Sequence, residues 1–267
     1  MAVIGVVAAN RLVSSSFHRL DIDLGRPFTF RPGQFVMVNG AGPRALTFSR
    51  PFSILAAEGS VLSLLYRVVG RGTAELAAMA PGDAVSVLGP LGEPFPEPMA
   101  AQVTILLGGG VGLPPVHAWW RRWGRPGDVA CFGARSGAEV PWDLLGDAWR
   151  VSVDDPDGLA PGRRAEVGVV TTLVPEAGEL PATSPVVVLA CGPLPLLRAA
   201  AALARARGWR CLVSLEEHMG CGYGVCKGCV VRVADGAGER NATCCHDGPV
   251  FDAADVCLLA PREGGSA

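Results

Sequence analysis

The sequence lacks runs of like charge, and its 23 basic and 25 acidic side chains leave a formal net charge of −2 over 267 residues. Nucleic acids and anionic membrane surfaces are recognised by clustered basic residues, so neither is an expected partner. The sequence also lacks the low hydrophobicity of a disordered chain, since 49% of its residues are hydrophobic. It therefore predicts a globular protein with a sizeable core, and its length suggests about two domains.

Long apolar spans and a secretory leader are absent as well. The stretches 99–120 and 180–197 carry no charged residue, but glycines or prolines interrupt both of them, and a lipid-exposed helix tolerates such interruptions poorly. Residues 1–9 are apolar without the basic segment that begins a signal peptide, so we expect them to form a strand. The sequence thus predicts a soluble, cytoplasmic protein without a membrane partner.

Cysteine, in contrast, is abundant, and five of the nine cysteines lie between residues 221 and 245. Cys221, Cys226 and Cys229 follow the spacing C-x4-C-x2-C, and Cys244 and Cys245 come next. This is the spacing of a plant-type [2Fe–2S] site, in which four thiolates hold two irons. A structural zinc site usually has two CxxC pairs, and the chain has one. A disulfide knot is the other alternative, and it fits poorly with a chain that lacks a secretory signal.

Residues 1–97 have the pattern of an antiparallel β domain. Short β-rich runs alternate with Pro/Gly turns, which indicates a barrel or a sandwich. One helix is predicted at Thr73–Met79, with Thr73 as its N-cap. Residues 93–98 are rich in proline and form the predicted boundary of the domain. The predicted strand regions are Val3–Val7, Phe35–Val38, Ser60–Val69 and Ala84–Leu88.

Residues 98–210 change to an α/β rhythm. Buried strands are predicted with helices between or after them, and Leu194–Arg207 is the clearest helix. Such alternation indicates a parallel sheet. His117 is expected on a helix surface, with a contact to a cofactor near the glycine turn as the alternative. Residues 211–267 form a separate cysteine-rich domain. The predicted strands are Val103–Leu107, Val129–Phe132, Arg150–Val153 and Val186–Ala190.

Several motifs carry little information when they are taken singly. Gly108–Gly112 lies between a strand and a helix, where a pyrophosphate could bind, although such glycines also occur for packing alone. Cys191-Gly192-Pro193 follows what we take to be the last strand of the α/β domain, and a buried small residue before a turn is the alternative. Arg50–Ser53 and Tyr66–Thr73 offer an arginine and a Gly-Thr pair for phosphates, or are ordinary turn chemistry.

The chain order of these motifs resembles that of ferredoxin-reductase-like flavoproteins. Within that superfamily the sequence is most similar to the electron-transfer subunits of two-protein dihydroorotate dehydrogenases. The match is carried by Ser214-Leu215-Glu216, by the cysteine spacing and by the tail Gly248-Pro249-Val250-Phe251. The resemblance extends over nearly the whole chain.

The resemblance implies an FAD-binding β-barrel at 1–97, an NAD-binding α/β domain at 98–210 and a [2Fe–2S] domain at 211–267. It implies electron transfer between NAD and an FMN-containing catalytic subunit in pyrimidine biosynthesis, within a heterotetramer of two of each subunit. FAD would contact Arg50, Pro51, Phe52, Ser53, Tyr66, Arg67, Val68, Gly72 and Thr73. NAD would contact Gly109, Gly110, Gly112, Cys191, Gly192 and Pro193. The cluster ligands would be Cys221, Cys226, Cys229 and Cys245, because the Gly-Pro-Val-Phe tail favours Cys245 over Cys244.

Two alternatives to this function stay open. A reductase subunit that uses NAD(P)H to feed a hydrogenase or a ferredoxin would share the first two domains. A zinc-stabilised binding module is a more remote alternative.

Asp154 and Asp155 follow a predicted strand. An acidic residue at that position favours NADH over NADPH. The pair is also typical of a solvated turn.

Overall fold

The structure is a computed structural model that describes residues 2–42, 47–181, 184–234 and 238–258. The end of the predicted cysteine-rich domain, residues 259–267, lies outside the described residues. In the described parts, the chain forms a closed barrel, a seven-stranded sheet and a two-stranded hairpin.

The first part of the chain is an antiparallel barrel with the strand order β1-β2-β5-β4-β3-β6. Alternating residues fill its interior, among them Val36 and Val38 on one strand and Leu62 and Leu64 on another. Closure pairs every strand on both sides and leaves no open edge, which resolves the choice between barrel and sandwich. The strands are β1 (Val3–Leu12), β2 (Phe17–Asp23), β3 (Phe35–Gly40), β4 (Arg50–Glu58), β5 (Val61–Arg67) and β6 (Ala84–Leu91).

The short helix of this part, α1, spans Arg71–Ala77 and has Gly70 as its N-cap. The prediction of Thr73 as N-cap was wrong, because the helix begins two residues earlier. The Thr73 hydroxyl instead accepts hydrogen bonds from the backbone N–H groups of Val69 (2.9 Å) and Gly70 (3.2 Å). It thus ties the first turn to the end of the preceding loop.

The proline-rich segment after the barrel is packed rather than loose. Phe95 is fully buried, and its N–H donates to the carbonyl of Pro32 in the barrel at 2.8 Å. The carbonyl of Pro96 accepts from the indole N–H of Trp119 at 2.9 Å. The segment therefore connects the two regions and contacts both.

The second region is a sheet with the order β10-β9-β8-β7-β11-β12-β15. All pairs are parallel except β12 with β15. The strands are β7 (Val103–Gly109), β8 (Val129–Ser136), β9 (Trp149–Asp155), β10 (Glu166–Val167), β11 (Val186–Cys191), β12 (Arg210–Ser214) and β15 (Val250–Asp252). The helices are α2 (Leu113–Trp123), α3 (Trp142–Leu145) and α4 (Leu194–Ala206). Among the described residues, none of the helices combines the length and apolarity needed to cross a bilayer.

Two sequence-based expectations about this region need correction. Strand β12 pairs with β11, so Cys191 does not follow the last strand, and the sheet continues past the predicted boundary at residue 210. His117 is buried rather than on a helix surface. Helix α2 packs against β7 and β11 on one side and against β4 of the barrel on the other, so its outer face is covered.

The cysteine-rich stretch leaves the sheet after β12 and returns to it at β15. Between them lie the hairpin strands β13 (Val230–Ala234) and β14 (Glu239–Thr243). Cys229, Cys244 and Cys245 are buried in one apolar cluster with Phe35 and Met37 of the barrel. The cysteine loops are therefore held against both the sheet and the barrel.

Candidate functional site

The two central strands of the sheet, β7 and β11, bring two predicted motifs into direct contact. A Cβ atom built on Gly112 would lie 2.3 Å from the carbonyl oxygen of Cys191, and one built on Gly192 would lie 3.0 Å from that of Gly109. Only glycine permits this approach of the two backbones. The glycine turn and the Cys191–Pro193 turn therefore form one recess at the carboxyl edge of the sheet.

This recess has the geometry of an anion-binding site. The strand order reverses between β7 and β11, and α2 and α4 contribute to apolar clusters on different sides of the sheet. Both helices begin at the carboxyl edge with proline in their first turn. The positive dipole ends of the two helices favour a phosphate at such a switch point. The residues predicted to hold NAD, from Gly109 to Pro193, all lie here.

The predicted FAD residues lie on β4, β5 and α1 of the barrel. Along β4, residues Arg50–Ser53 are partly exposed, whereas Ile54 and Leu55 are buried. The Phe52 ring packs edge-on against Tyr66 with a centroid distance of 6.0 Å. The guanidinium of Arg50 lies over the first turn of α1, since a Cβ atom on Gly72 would be 2.7 Å from its Nε atom. A cation above a glycine-containing turn beside a partly exposed strand fits a flat, pyrophosphate-bearing ligand.

Two of the predicted FAD residues use their side chains elsewhere. The Tyr66 hydroxyl donates to Asn10 Oδ1 at 3.0 Å, and burial raises its pKa to about 12. Arg67 forms an ion pair of 2.8 Å with Glu139, which joins the barrel to the α/β region. Any contact of these two residues with a flavin would therefore come from their backbone, while the neighbouring Val68 is exposed.

Glu216 lies two residues beyond the end of β12. The residue is exposed at the surface, yet the protein around its carboxyl desolvates that group and raises its pKa. Burial also raises the pKa of the Cys191 thiol well above its usual value, with a smaller contribution from the nearby charge of Glu216. A desolvated carboxyl beside a buried thiol at the sheet edge was not evident from the sequence, because β11 and β12 meet only in the fold.

The cysteines of the C-x4-C-x2-C motif lie in two pairs. The side chains of Cys221 and Cys226 share a hydrogen bond, and so do those of Cys229 and Cys245. Backbone N–H groups point at the sulfurs: that of Cys226 at Cys221 Sγ (3.4 Å), and that of Gly224 at Cys245 Sγ (3.1 Å). Although desolvation acts in the opposite direction, such N–H donors lower the pKa of Cys221 to about 6. Negative sulfur atoms are the natural acceptors of these donors.

Cys244 is oriented differently from its neighbour Cys245. Its thiol is fully buried and donates to the carbonyl of Leu215 at 3.5 Å, and desolvation raises its pKa. Cys244 and Cys245 both lie in the turn that follows β14, and within it the Cys244 thiol faces Leu215 while the Cys245 sulfur faces Gly224.

The arrangement of the cysteines fits two metal ions better than one. Within the described chain, no three histidine, cysteine, aspartate or glutamate side chains converge on a point suited to a single ion. A structural zinc ion needs four ligands around one centre, whereas four thiolates on two irons fall naturally into two pairs. The paired thiols and their N–H donors therefore fit a [2Fe–2S] cluster.

Comparison with known protein families and sequences gives consistent matches. Residues 216–257 match the family model of the iron–sulfur cluster binding domain of dihydroorotate dehydrogenase B. The electron transfer subunit of dihydroorotate dehydrogenase B (NAD⁺) from Shouchella clausii is 37% identical over 238 residues, which cover 85% of this chain and 87% of that protein. The subunit of the same name from Bacillus cereus strain 03BB102 is 36% identical over the same coverage.

Solved structures share the fold. An NADH-dependent reduced ferredoxin–NADP oxidoreductase, described in connection with flavin-based electron bifurcation, aligns with a TM-score of 0.74 and 24% identity. The alignment covers 95% of this chain and 90% of that one. A ferredoxin reductase of carbazole 1,9a-dioxygenase aligns with a TM-score of 0.67 and 20% identity, covering 78% of this chain and 66% of that one.

Proposed function

The chain belongs to the family of dihydroorotate dehydrogenase B electron transfer subunits, and we propose that it carries electrons between a catalytic FMN-containing dihydroorotate dehydrogenase subunit and NAD. This bears out the resemblance inferred from the order of the motifs. The observation that carries the proposal is the combination, in one chain, of paired cysteines packed against the barrel with a glycine-lined recess at the sheet edge.

The chemistry of the three cofactors explains why one chain combines these sites. NAD exchanges a hydride, an [2Fe–2S] cluster exchanges single electrons, and FAD does both, so the flavin belongs between the other two. In our assignment Arg50, Phe52 and Gly72 help to hold the FAD, while the interlocked Gly112 and Cys191 turns orient the nicotinamide nucleotide.

The four paired cysteines are assigned to the cluster, and their loops to the catalytic partner. Cys226 is exposed, and beside it Tyr223 and Val225 are 52% and 71% exposed although both are apolar. Apolar anchors of this kind lie at the centres of protein interfaces. The cluster would then lie close to the partner with which it must exchange single electrons. We assign a heterotetramer of two of each subunit by family membership.

We further assign the protein to the cytoplasm and retain the division into an FAD, an NAD and a [2Fe–2S] domain. The nine cysteines all lie among the described residues and none of them is in a disulfide, which suits a reducing compartment. Because β12 and β15 belong to the sheet of the NAD domain, the third domain begins after residue 214 in this assignment.

A visible spectrum with metal analysis of the purified protein tests the proposal. The expected preparation contains FAD, iron and sulfide, reduces artificial dyes with NADH and does not oxidise dihydroorotate. A colourless, zinc-containing protein would contradict it and favour a zinc-stabilised module. NADH-driven reduction of a ferredoxin or a hydrogenase, without any response to a dihydroorotate dehydrogenase partner, would favour the reductase alternative.

The end of β9 carries the residues that we assign to nucleotide preference. The register of β7, β8 and β9 places Ser152 level with Gly109, so Asp154 lies further along the same edge. The Asp155 carboxylate accepts from the N–H of Asp157 at 3.0 Å, so we assign Asp154 to the nucleotide ribose. A carboxylate there accepts from a 2′-OH and repels a 2′-phosphate.

We expect kcat/KM in dye reduction to be at least about tenfold higher for NADH than for NADPH, which corresponds to about 1.4 kcal/mol. Asp154→Asn should narrow that ratio, while Asp147→Asn, at an exposed carboxylate just before the amino end of β9, should leave it unchanged. Comparable values for both nucleotides with the unaltered protein would refute the assignment.

A further inference from the structure

The barrel strand β3 presents its side chains alternately to two different environments. Val36 and Val38 belong to the apolar cluster inside the barrel. Phe35 and Met37, which point the other way, belong to the cluster that contains Cys229 and Cys245. One face of β3 therefore supports the flavin barrel, and the other supports the cysteine loops.

Met37 makes the close contact between these two parts of the molecule. It is 1% exposed, and a Cβ atom built on Gly222 would lie 2.4 Å from its Cγ atom and 2.8 Å from its Sδ atom. The backbone of Gly222, next to Cys221, therefore rests directly on the Met37 side chain. Gly222 has a φ of +83°, so both its conformation and this contact require glycine.

On its other side Met37 adjoins the strand assigned to the flavin. In the β3–β4 ladder Met37 is paired with Pro51, which lies between Arg50 and Phe52. Met37 thus contacts the cysteine loop through its side chain and pairs with the flavin strand through its backbone. Thioethers fill irregular gaps well because they are unbranched and polarizable.

We propose that Met37 is a positioning residue that fixes the cysteine loop against the flavin-binding strand and thereby sets the rate of electron transfer between FAD and the cluster. The inference rests on the proposed function, because it requires both cofactors. Electron transfer depends steeply on the separation and packing between two centres, so a gap at Met37 should slow this step while leaving each cofactor in place.

The test uses anaerobic stopped-flow and rapid-freeze measurements on the full chain loaded with FAD and iron. NADH first bleaches the flavin absorbance, and the reduced cluster then appears by electron paramagnetic resonance. We expect Met37→Ala to retain FAD and iron content and the rate of flavin bleaching, but to slow the appearance of the cluster signal about tenfold or more, as for other residues that support metal ligands. Met37→Leu, which conserves volume, should restore most of the rate.

Leu20→Ala is the matched control, because Leu20 is equally buried but faces the barrel interior from β2. It should lower stability without slowing transfer to the cluster. The proposal would be overturned if the cluster signal appeared in Met37→Ala at the rate of the unaltered protein, or if Leu20→Ala slowed its appearance equally. If Met37→Ala does not retain both cofactors, Met37→Val decides the question in the same assay. An unaltered protein that lacks flavin or cluster would overturn the proposed function instead.

A double-mutant cycle tests the contact itself. Gly222→Ala should slow transfer because its Cβ atom collides with Met37 and its φ is unfavourable. Combining it with Met37→Ala removes the collision, so the double variant should be faster than the product of the two single effects. Purely multiplicative effects would show that the two residues act independently and would contradict the inferred contact.

Discussion

Cys245→Ser is expected to lose the cluster, whereas Cys244→Ser is expected to keep it. Cys245 pairs with Cys229 and receives an N–H donor from Gly224, while the Cys244 thiol is turned away toward the carbonyl of Leu215. Four thiolates are needed to hold two irons, so the loss of one should prevent stable assembly. Iron content should fall from about two atoms per chain toward zero in Cys245→Ser.

Iron and sulfide analysis with electron paramagnetic resonance of the reduced protein measures this difference. The two variants change the same atom in adjacent residues, so each is the control for the other. FAD content should be equal in both, because the barrel residues are untouched. A cluster that survives in Cys245→Ser and disappears in Cys244→Ser would contradict the assignment of the fourth ligand.

Gly112→Ala should disable the use of NADH while leaving FAD and the cluster bound. Gly112 has an ordinary φ of −77°, so alanine meets no backbone strain there. Its Cβ atom, however, would lie 2.3 Å from the oxygen and 2.4 Å from the carbonyl carbon of Cys191. Both are backbone atoms at the end of β11, and forcing them apart costs about 1–3 kcal/mol or more.

The displaced turn would no longer present the recess between β7 and β11, so the KM for NADH in dye reduction should rise about tenfold or more. Gly178→Ala is the control, since nothing lies within 4 Å of a Cβ atom there and its φ is not in the left-handed region. Both variants should show the flavin and iron–sulfur spectrum. An unchanged KM in Gly112→Ala would show that this turn does not hold the nucleotide.

The parts of the fold that could be predicted from sequence depend on fixed residue types at fixed spacings. Cluster ligation requires cysteine, and C-x4-C-x2-C leaves few alternatives. The alternation of apolar runs and turns also identified an antiparallel region followed by a parallel sheet. The barrel and the sheet of the structure confirm that fold class.

The features that sequence did not show arise from contacts between distant segments. The His117 ring stacks on Trp149 with a centroid distance of 6.1 Å, and its Nε2 atom lies 2.9 Å from the carbonyl oxygen of Leu144, so it is covered by segments about 30 residues further along the chain. Strand β15 spans three residues and has no periodicity of its own, so its pairing with β12 is visible only in the fold. The contact between Met37 and Gly222 could not be predicted either, because nothing near Met37 in the chain indicates that Gly222 packs on its side chain.

A substitution at Tyr223, the exposed aromatic residue of the cysteine loops, should affect activity only when the catalytic subunit is present. Tyr223→Asp should weaken the complex with the catalytic subunit while leaving NADH–dye turnover intact, because Tyr223 is 52% exposed and lies outside the assigned FAD and NAD sites. Val167→Asp, at an exposed apolar residue on the sheet edge opposite β15, is the matched control and should leave the complex intact.

Mixing the purified chain with an FMN-containing dihydroorotate dehydrogenase catalytic subunit tests the proposed electron transfer most directly. Neither protein alone should show dihydroorotate:NAD activity, and the mixture should show it at a rate that saturates when the two subunits are equimolar. The activity should disappear in Cys245→Ser, which lacks the cluster. Oxidation of dihydroorotate with NAD by this chain alone, with no second protein present, would contradict the proposed function.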